Sequence, residues 1–110
     1  MILDQKGNTS IITQETVTVI ELVKKIQALY PKFKNNNIIV ALNAIDNFGR
    51  EDIVEFLQLS KNHRNAKHSF VIVSNKIDLA VVPDEIIVAP TLQEGFDIVE
   101  MEDMERDLGF

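Results

Sequence analysis

Cysteine and tryptophan are absent from the 110 residues, and no long apolar run is present. Without cysteine the chain has no disulfide framework, no thiolate metal ligand and no cysteine nucleophile. No apolar run reaches the roughly 18 residues that a membrane-spanning helix requires. The start of the chain, MILDQKGN, also lacks the long apolar segment of a secretory signal. We therefore expect a cytoplasmic protein that does not bind a membrane.

Glycine is scarce, and this decides the meaning of the motif Asn75-Lys76-Ile77-Asp78. Many GTPases read guanine with Asn-Lys-x-Asp after a buried strand. They also hold the phosphates in a loop of the pattern G-x-x-x-x-G-K-[ST], in which glycines let the backbone amides wrap the phosphates. The chain has only four glycines, and none belongs to such a loop. We interpret Asn75 and Asp78 as turn-forming residues at the end of a strand.

Aliphatic residues and acids are what the chain has in quantity, and the acids are unevenly distributed. Residues 1–45 hold five lysines and three acids, a balance of +2, whereas residues 46–110 hold six basic and fourteen acidic residues, a balance of −8. The acidic part repels a phosphate backbone, so we expect no nucleic acid to bind there. A basic protein partner is the natural complement.

The hydrophobic pattern predicts one α/β domain over residues 1–110. Two aliphatic segments around Lys6-Gly7-Asn8 indicate a β-hairpin. A helix with one apolar stripe follows, begins with a capping box at Thr18 and Glu21, and ends at Pro31 and the following KNNN. Three aliphatic runs without polar alternation, at 38–42, 70–73 and 86–89, are typical of buried parallel strands.

Two further helices are predicted in the acidic part of the chain. Residues 50–65 give one helix with Ile53, Phe56, Leu57 and Ser60 on its inner side and the acids Glu51 and Asp52 in its first turn. A last helix begins at a capping box of Thr91 and Glu94 and continues to about residue 107. Its predicted inner stripe consists of Leu92, Phe96, Val99 and Met104. The segment between the second and third buried strands has room for a turn or a short helix.

The polar clusters give no pattern of a catalytic or metal site. His63 and His68 are five residues apart, a poor spacing for two zinc ligands on a helix, and we expect both to be solvated. The basic residues Lys61, Arg64 and Lys67 are either a solvated helix end or a small anion patch. The acids Asp46, Asp78, Asp84 and Glu85 follow strand ends, where response-regulator receivers keep their acids, but the ordered receiver set is missing. We predict no catalytic residue, no metal and no cofactor.

The acidic tail QEGFDIVEMEDMERDLGF allows two interpretations. It is either a solvated helix with an apolar inner stripe or a docking helix. In the second case its exposed residues include Met101, Met104, Leu108 and Phe110, and methionine-rich faces suit partner binding.

Nearly the whole chain, most clearly residues 36–100, resembles the STAS domain, the family of sulfate transporters and anti-sigma-factor antagonists. The resemblance rests on the hairpin start, the strand-loop-helix unit beginning IIVAL, the strand SFVIV and the late segment PTLQEGFDIV. It implies an α/β fold with a STAS-like (SpoIIAA-like) mixed sheet, an N-terminal hairpin and helices mainly on one face. It also implies a switch in which a kinase-like partner phosphorylates a serine at the start of the helix after the second or third strand.

The chain departs from that family at the switch itself. The corresponding segment is NFGREDIVEFL, with Glu51 and Asp52 where the hydroxyls belong, and no serine or threonine occurs from residue 19 to residue 59. These acids are either ordinary first-turn residues or a fixed imitation of the phosphorylated state. We predict a non-enzymatic regulatory or adaptor module whose partner-binding residues are Asn47, Phe48, Gly49, Arg50, Glu51 and Asp52. The sequence does not decide whether the chain forms a homodimer.

Two alternatives remain. One is a module that binds a small hydrophobic ligand under the same helix. The other is an accessory protein of RNA processing, because the tail VEMEDMERDLGF also resembles short bacterial proteins catalogued as ribonuclease Z. The chain lacks the His-x-His-x-Asp-His zinc motif of that enzyme, so the tail resemblance does not imply its chemistry.

Overall fold

The computed structural model describes residues 1–14, 18–42 and 50–109. Its strands and helices alternate along most of the chain. They are β1 Ile2–Lys6, β2 Thr9–Thr13, α1 Val19–Phe33, β3 Asn37–Ala41, α2 Arg50–Val54, α3 Leu57–Asn65, β4 Phe70–Val73, β5 Ile87–Ala89 and α4 Leu92–Asp107. A single 3₁₀ turn, Leu79–Val81, lies in the connection from β4 to β5.

The five strands form one mixed sheet in the order β1-β2-β3-β4-β5. β1 is antiparallel to β2, and the remaining neighbours are parallel. The predicted hairpin is confirmed, with Lys6 paired to Thr9 across a two-residue turn. Gly7 has a φ of +59°, and it is the turn residue that needs the left-handed region. The three predicted parallel strands are also confirmed, and β3 and β4 are buried as expected, but Ile87 and Val88 of the edge strand β5 are only half-buried.

Alternate residues of the central strands enter two separate hydrophobic clusters. On one face, Ile38, Val40 and Ile72 pack with residues of α1, α2 and α3. On the other face, Ile39 and Val71 pack with Val99 of α4 and its neighbours. The helices thus lie mainly on one face, as the STAS resemblance implies, and α4 covers the other.

Helix α1 begins as predicted and continues past its predicted end. The Thr18 hydroxyl accepts a hydrogen bond from the amide of Glu21. The helix does not stop at Pro31, which lies inside its last turn, but ends at Phe33. Pro31 is on the solvent side, so water can hydrogen-bond to the carbonyl that proline leaves without a donor. Phe33 is buried and holds the last turn against the sheet.

The helix predicted over residues 50–65 is two helices. At Glu55 and Phe56 the amides bond to the carbonyls of Asp52 and Ile53, three residues back instead of four. The tightened turn separates α2 from α3 and places the Phe56 ring in the core. The predicted inner residues Ile53, Phe56 and Ser60 are buried, and Leu57 is half-buried.

Helix α4 lies close to the sheet, and its inner face differs from the predicted one. Thr91 caps it by accepting a hydrogen bond from the Glu94 amide, as expected. Val99 is buried and Phe96 half-buried, but Leu92 is exposed, so its place in the predicted stripe is wrong. Met104 is also exposed, which agrees with the docking-helix interpretation and not with the stripe. A Cβ on Gly95 would lie 3.0 Å from Cγ2 of Val73. The missing side chain lets the helix approach β4.

Candidate functional site

Three of the six predicted partner-binding residues, Arg50, Glu51 and Asp52, begin α2, the helix that follows β3 in the chain. Asn47, Phe48 and Gly49 lie outside the described residues. Arg50 and Glu51 are exposed in the first turn of α2, and Asp52 is half-buried. The structure therefore presents at least two of the six predicted residues to solvent.

Buried contacts fix the position of this exposed turn. Ile53, which follows it directly, is buried in the cluster beneath α1, α2 and α3. The Phe56 ring packs against Phe70 of β4, with 6.3 Å between ring centroids. The Ser60 hydroxyl donates to the backbone carbonyl of Glu85 at 2.9 Å, which ties α3 to the connection before β5. The side chains of Arg50 and Glu51 thus project from an anchored base.

Apolar side chains are exposed in the elements that follow the carboxyl ends of β2, β3 and β4 in the chain. Ile20 starts α1 after β2, Val54 belongs to α2 after β3, and Leu79 belongs to the 3₁₀ turn after β4; all three are exposed. Asp78 orders that turn, because its carboxylate accepts a hydrogen bond from the Ala80 amide at 2.9 Å. We call Ile20, Arg50, Glu51, Val54 and Leu79 the carboxyl-edge surface. It combines charge with uncovered apolar side chains, a composition typical of protein contacts.

His63 is the clearest error of the sequence-based expectation, because it is fully buried instead of solvated. Its Nε2 lies 2.6 Å from the carbonyl oxygen of Asn36, and its Nδ1 lies 2.6 Å from the hydroxyl of Tyr30. A carbonyl can only accept, so Nε2 carries the proton and the Tyr30 hydroxyl donates to Nδ1. His63 is thus a neutral link between α3, α1 and the start of β3.

Burial lowers the pKa of His63 to about 4. The hydrogen bond to the Asn36 carbonyl opposes this change, and the nearby cations His68, Arg64 and Arg106 add to it. Burial also raises the pKa of the Tyr30 hydroxyl. The signal that could have placed His63 correctly was periodicity. Phe56, Leu59, Ser60 and His63 recur at helical spacing, and all four are buried.

A polar network at the opposite edge of the sheet fastens α4 to the amino ends of β3 and β4. The Asn37 amide group donates to both carboxylate oxygens of Asp103, at 3.2 and 3.0 Å. The Arg106 guanidinium donates to the Ser69 hydroxyl at 3.0 Å and pairs with Asp103. Asn37 and Ser69 are buried, so these bonds satisfy groups that water does not reach.

Two acids of α4, Asp103 and Glu102, interact with polar and basic residues near the amino ends of β3 and β4. Burial raises the pKa of Asp103, but hydrogen bonds from Arg106, Asn8 and Asn37 outweigh burial, and the pKa lies below its ordinary value. Glu102 pairs with Arg64 of α3 at 3.1 Å. Arg64 also donates to the Phe70 carbonyl, so this member of the predicted basic patch serves the fold. Lys61 and Lys67 are exposed.

A metal-binding cluster and a membrane-spanning helix are both missing from the described part of the chain. It contains no group of three or more His, Cys, Asp or Glu side chains close enough to hold a metal ion. None of its helices has both the length and the apolar character needed to cross a membrane. The recess between α1 and α3 has a volume of about 170 Å³. This is below the roughly 300 Å³ at which small-molecule pockets usually begin.

Comparison with known proteins identifies the fold. No family model and no curated protein matches the chain. A solved structure of RsbS from Moorella thermoacetica, a variant in which glutamate replaces a serine, aligns with a TM-score of 0.69 at 14% identity. The alignment covers 96% of this chain and 97% of that one.

A second solved structure is described as the molecular architecture of the stressosome, a signal integration and transduction hub. It aligns with a TM-score of 0.61 at 13% identity and covers 90% of this chain and 96% of that one. Both neighbours are STAS-domain proteins, and the tail resemblance to ribonuclease Z is not confirmed. The mixed sheet, its N-terminal hairpin and these two alignments show that the chain has the STAS fold.

Proposed function

We propose that this chain is a non-enzymatic regulatory module that acts by binding another protein through its carboxyl-edge surface. The observation that carries the proposal is the exposed first turn of α2, which is followed directly by the buried Ile53. Val54 and Leu79, which follow β3 and β4 in the chain, are also exposed. The fold adds support, because one structural neighbour belongs to a signal integration and transduction hub. We expect the chain to work in a comparable protein assembly.

The acids of α2 suggest how this surface differs from a phosphorylated switch. Glu51 and Asp52 supply negative charge at the start of α2, and residues 19–59 contain no serine or threonine. Carboxylates at that position supply part of the charge that a phosphate would add. We propose that the partner recognises a permanently charged surface, and that Asn47, Phe48 and Gly49 complete it.

Affinity capture from a lysate of the source cell tests the proposal. Wild-type protein is compared with Glu51→Lys and with the Glu51→Lys, Asp52→Lys double variant. We expect a specific partner to be lost from the double variant and weakened in the single variant. Glu51 is exposed, so the single variant should fold normally, and circular dichroism checks this.

A matched control places the same charge change elsewhere. Asp84 and Glu85 are exposed acids in the connection that leads into β5, at the amino edge of the sheet. The Asp84→Lys, Glu85→Lys variant should retain the partner. If both double variants lose it equally, net charge explains the binding. If neither loses it, the carboxyl-edge surface is not the interface.

A further inference from the structure

Helix α4 carries apolar residues on two opposite sides, and the fold explains only one of them. Its inner side packs on the sheet through Val99 and its neighbours. On its outer side, Met101, Met104 and Leu108 are 53%, 59% and 71% exposed. Their spacing of three and four residues places them in one stripe along the helix. We call these three residues the outer strip. In the described part of the chain nothing packs over it.

Acids flank the outer strip. Glu94, Asp97, Glu100, Glu105 and Asp107 are all exposed, and among the described residues none of them forms an ion pair. Of the basic residues nearby, Arg64 and Arg106 already pair with Glu102 and Asp103. The Lys6 ammonium lies 5.2 Å from the centroid of the Phe96 ring, and Lys67 lines a recess with Glu105. The five exposed acids outnumber these two lysines, so the surface around the outer strip carries an excess of negative charge.

A groove beside the outer strip extends this surface. It runs between α4 and the β1-β2 hairpin and has a volume of about 410 Å³. Met104 and Phe96 supply apolar walls, and Glu100 and Asp107 supply carboxylates. Long cationic side chains suit such a groove, because their aliphatic stems cover apolar surface while their charged ends reach carboxylates.

The negative charge of this surface limits which class of partner can bind it. Nucleic acids and anionic lipid surfaces are repelled by clustered carboxylates. A second copy of α4 carries the same acids and is repelled as well. A basic helix with one apolar stripe satisfies both features, because its stripe covers the outer strip and its cations meet the flanking acids.

We propose that the outer strip and its flanking acids form a docking site for a basic amphipathic helix of a partner protein. From Asp97 to the C-cap residue Leu108 the site spans twelve residues, or roughly 16 Å along the helix axis. It therefore accepts about three turns of a partner helix. This site lies on the face of the sheet opposite to α1, α2 and α3, so it does not depend on the carboxyl-edge surface.

The anchoring of α4 favours such docking. Arg106 and Asp103 hold the C-terminal half of the helix to the amino edge of the sheet, and Gly95 lets the N-terminal half lie close to Val73. The outer strip is thus held on a fixed support. A partner helix therefore loses conformational entropy on binding, but α4 is already ordered and adds no further entropy cost.

A synthetic helical peptide of about 14 residues tests the proposal, with leucines at helical spacing flanked by lysines. Its binding to the full chain is measured by fluorescence anisotropy at low and at high salt. We expect Met101→Ser with Met104→Ser to weaken the peptide at least about tenfold, because the apolar contact is removed. We expect Glu100→Gln with Glu105→Gln to weaken it mainly at low salt.

Three controls decide the outcome. A scrambled peptide of equal charge but without an apolar stripe should bind at least about tenfold more weakly. The Leu79→Ser, Val81→Ser variant removes exposed apolar side chains elsewhere and should leave peptide affinity unchanged, as should Glu51→Lys. Equal binding of both peptides, or no effect of the methionine variant, would overturn the proposal.

Sedimentation of the wild-type chain and of the methionine variant tests whether the outer strip binds a second copy of this chain instead. Self-association that disappears in the methionine variant would assign the outer strip to a second copy and overturn the basic-helix proposal. None of these results bears on the carboxyl-edge surface, because the capture experiment with Glu51→Lys tests that surface alone.

Discussion

A single buried imidazole couples this fold to pH. His63 is neutral in the folded chain, with Tyr30 donating to one ring nitrogen and the other donating to the Asn36 carbonyl. Its pKa is about 4 in the folded protein, below the ordinary value of 6.5. Between these values the unfolded chain binds a proton that the folded chain excludes. The free energy of unfolding therefore falls as the pH falls through that window.

We expect this loss between pH 6.5 and pH 4 to reach at most about 3 kcal/mol from His63 alone. The His63→Gln variant offers an amide that does not titrate in its place, so its unfolding free energy should decline less over the same window. Urea unfolding at several pH values measures both proteins. Parallel profiles for wild type and His63→Gln would contradict the assignment.

Lys67 is the one non-glycine residue with a left-handed backbone among those described, at a φ of +69°. It follows the last turn of α3, where its amide bonds to the Arg64 carbonyl and the next amide, of His68, bonds to the His63 carbonyl. This pair of bonds is the Schellman motif, which normally places glycine at that position.

Glycine at position 67 should therefore stabilise the protein. We expect Lys67→Gly to raise the free energy of unfolding by about 1 kcal/mol, because a side chain no longer opposes the left-handed conformation. Thermal and urea unfolding measure the change. Ala66→Gly is the matched control, since Ala66 has a negative φ and glycine there should cost roughly 0.5 kcal/mol. A destabilised Lys67→Gly variant would contradict the prediction.

At the scale of the elements, α4 depends on polar anchoring as well as on apolar contact. It is the described helix that packs with the second cluster of Ile39, Val71, Val73 and Ala89. Its C-terminal half has few apolar inner residues and is held instead by Arg106, Asp103 and Asn37. The helix is thus attached by apolar packing at one end and by hydrogen bonds at the other.

Removing the guanidinium should loosen that second attachment. We expect Arg106→Ala to lower the free energy of unfolding by about 2 kcal/mol, because Ser69 loses its donor and Asp103 loses its cation. Amide hydrogen exchange should become faster in the C-terminal turns of α4 first. Glu105→Ala alters the exposed neighbouring residue and should change stability by less than about 0.5 kcal/mol. Equal effects of the two variants would argue against the anchor.

At the scale of the molecule, periodicity predicted most of the fold. The hairpin, the parallel strands and the capping threonines came from hydrophobic spacing and local hydrogen-bonding rules, and the structure confirms them. The errors arose where contacts between distant segments, and not local sequence, determine burial and helix ends. His63 is polar, but its hydrogen bonds to Tyr30 and Asn36 allow it to be buried. Pro31 lies inside α1 because water on the outer side of the helix can bond to the carbonyl that proline leaves without a donor.

The candidate sites were only partly predictable. The acids of α2 stood out because helix starts favour them, but the exposure of Glu51 depends on how the neighbouring Ile53 packs in the core. Arg106 and Asp103 gave no recognisable motif, because their partners Asn37 and Ser69 are more than thirty residues away in the chain. Local patterns do not contain such distances.

The order of the strands has a consequence for how the chain can be made. Each strand lies beside the strand that precedes it in the sequence, from β1 to β5. A ribosome therefore releases the strands in the order in which the sheet adds them, and no early strand waits for a distant partner. Helix α4 follows all five strands in the chain, so Ile39, Val71 and Val73 stay uncovered until this helix has been made. During that interval the uncovered apolar face of the sheet makes the nascent chain prone to aggregation, so chaperone binding would protect it most at this stage.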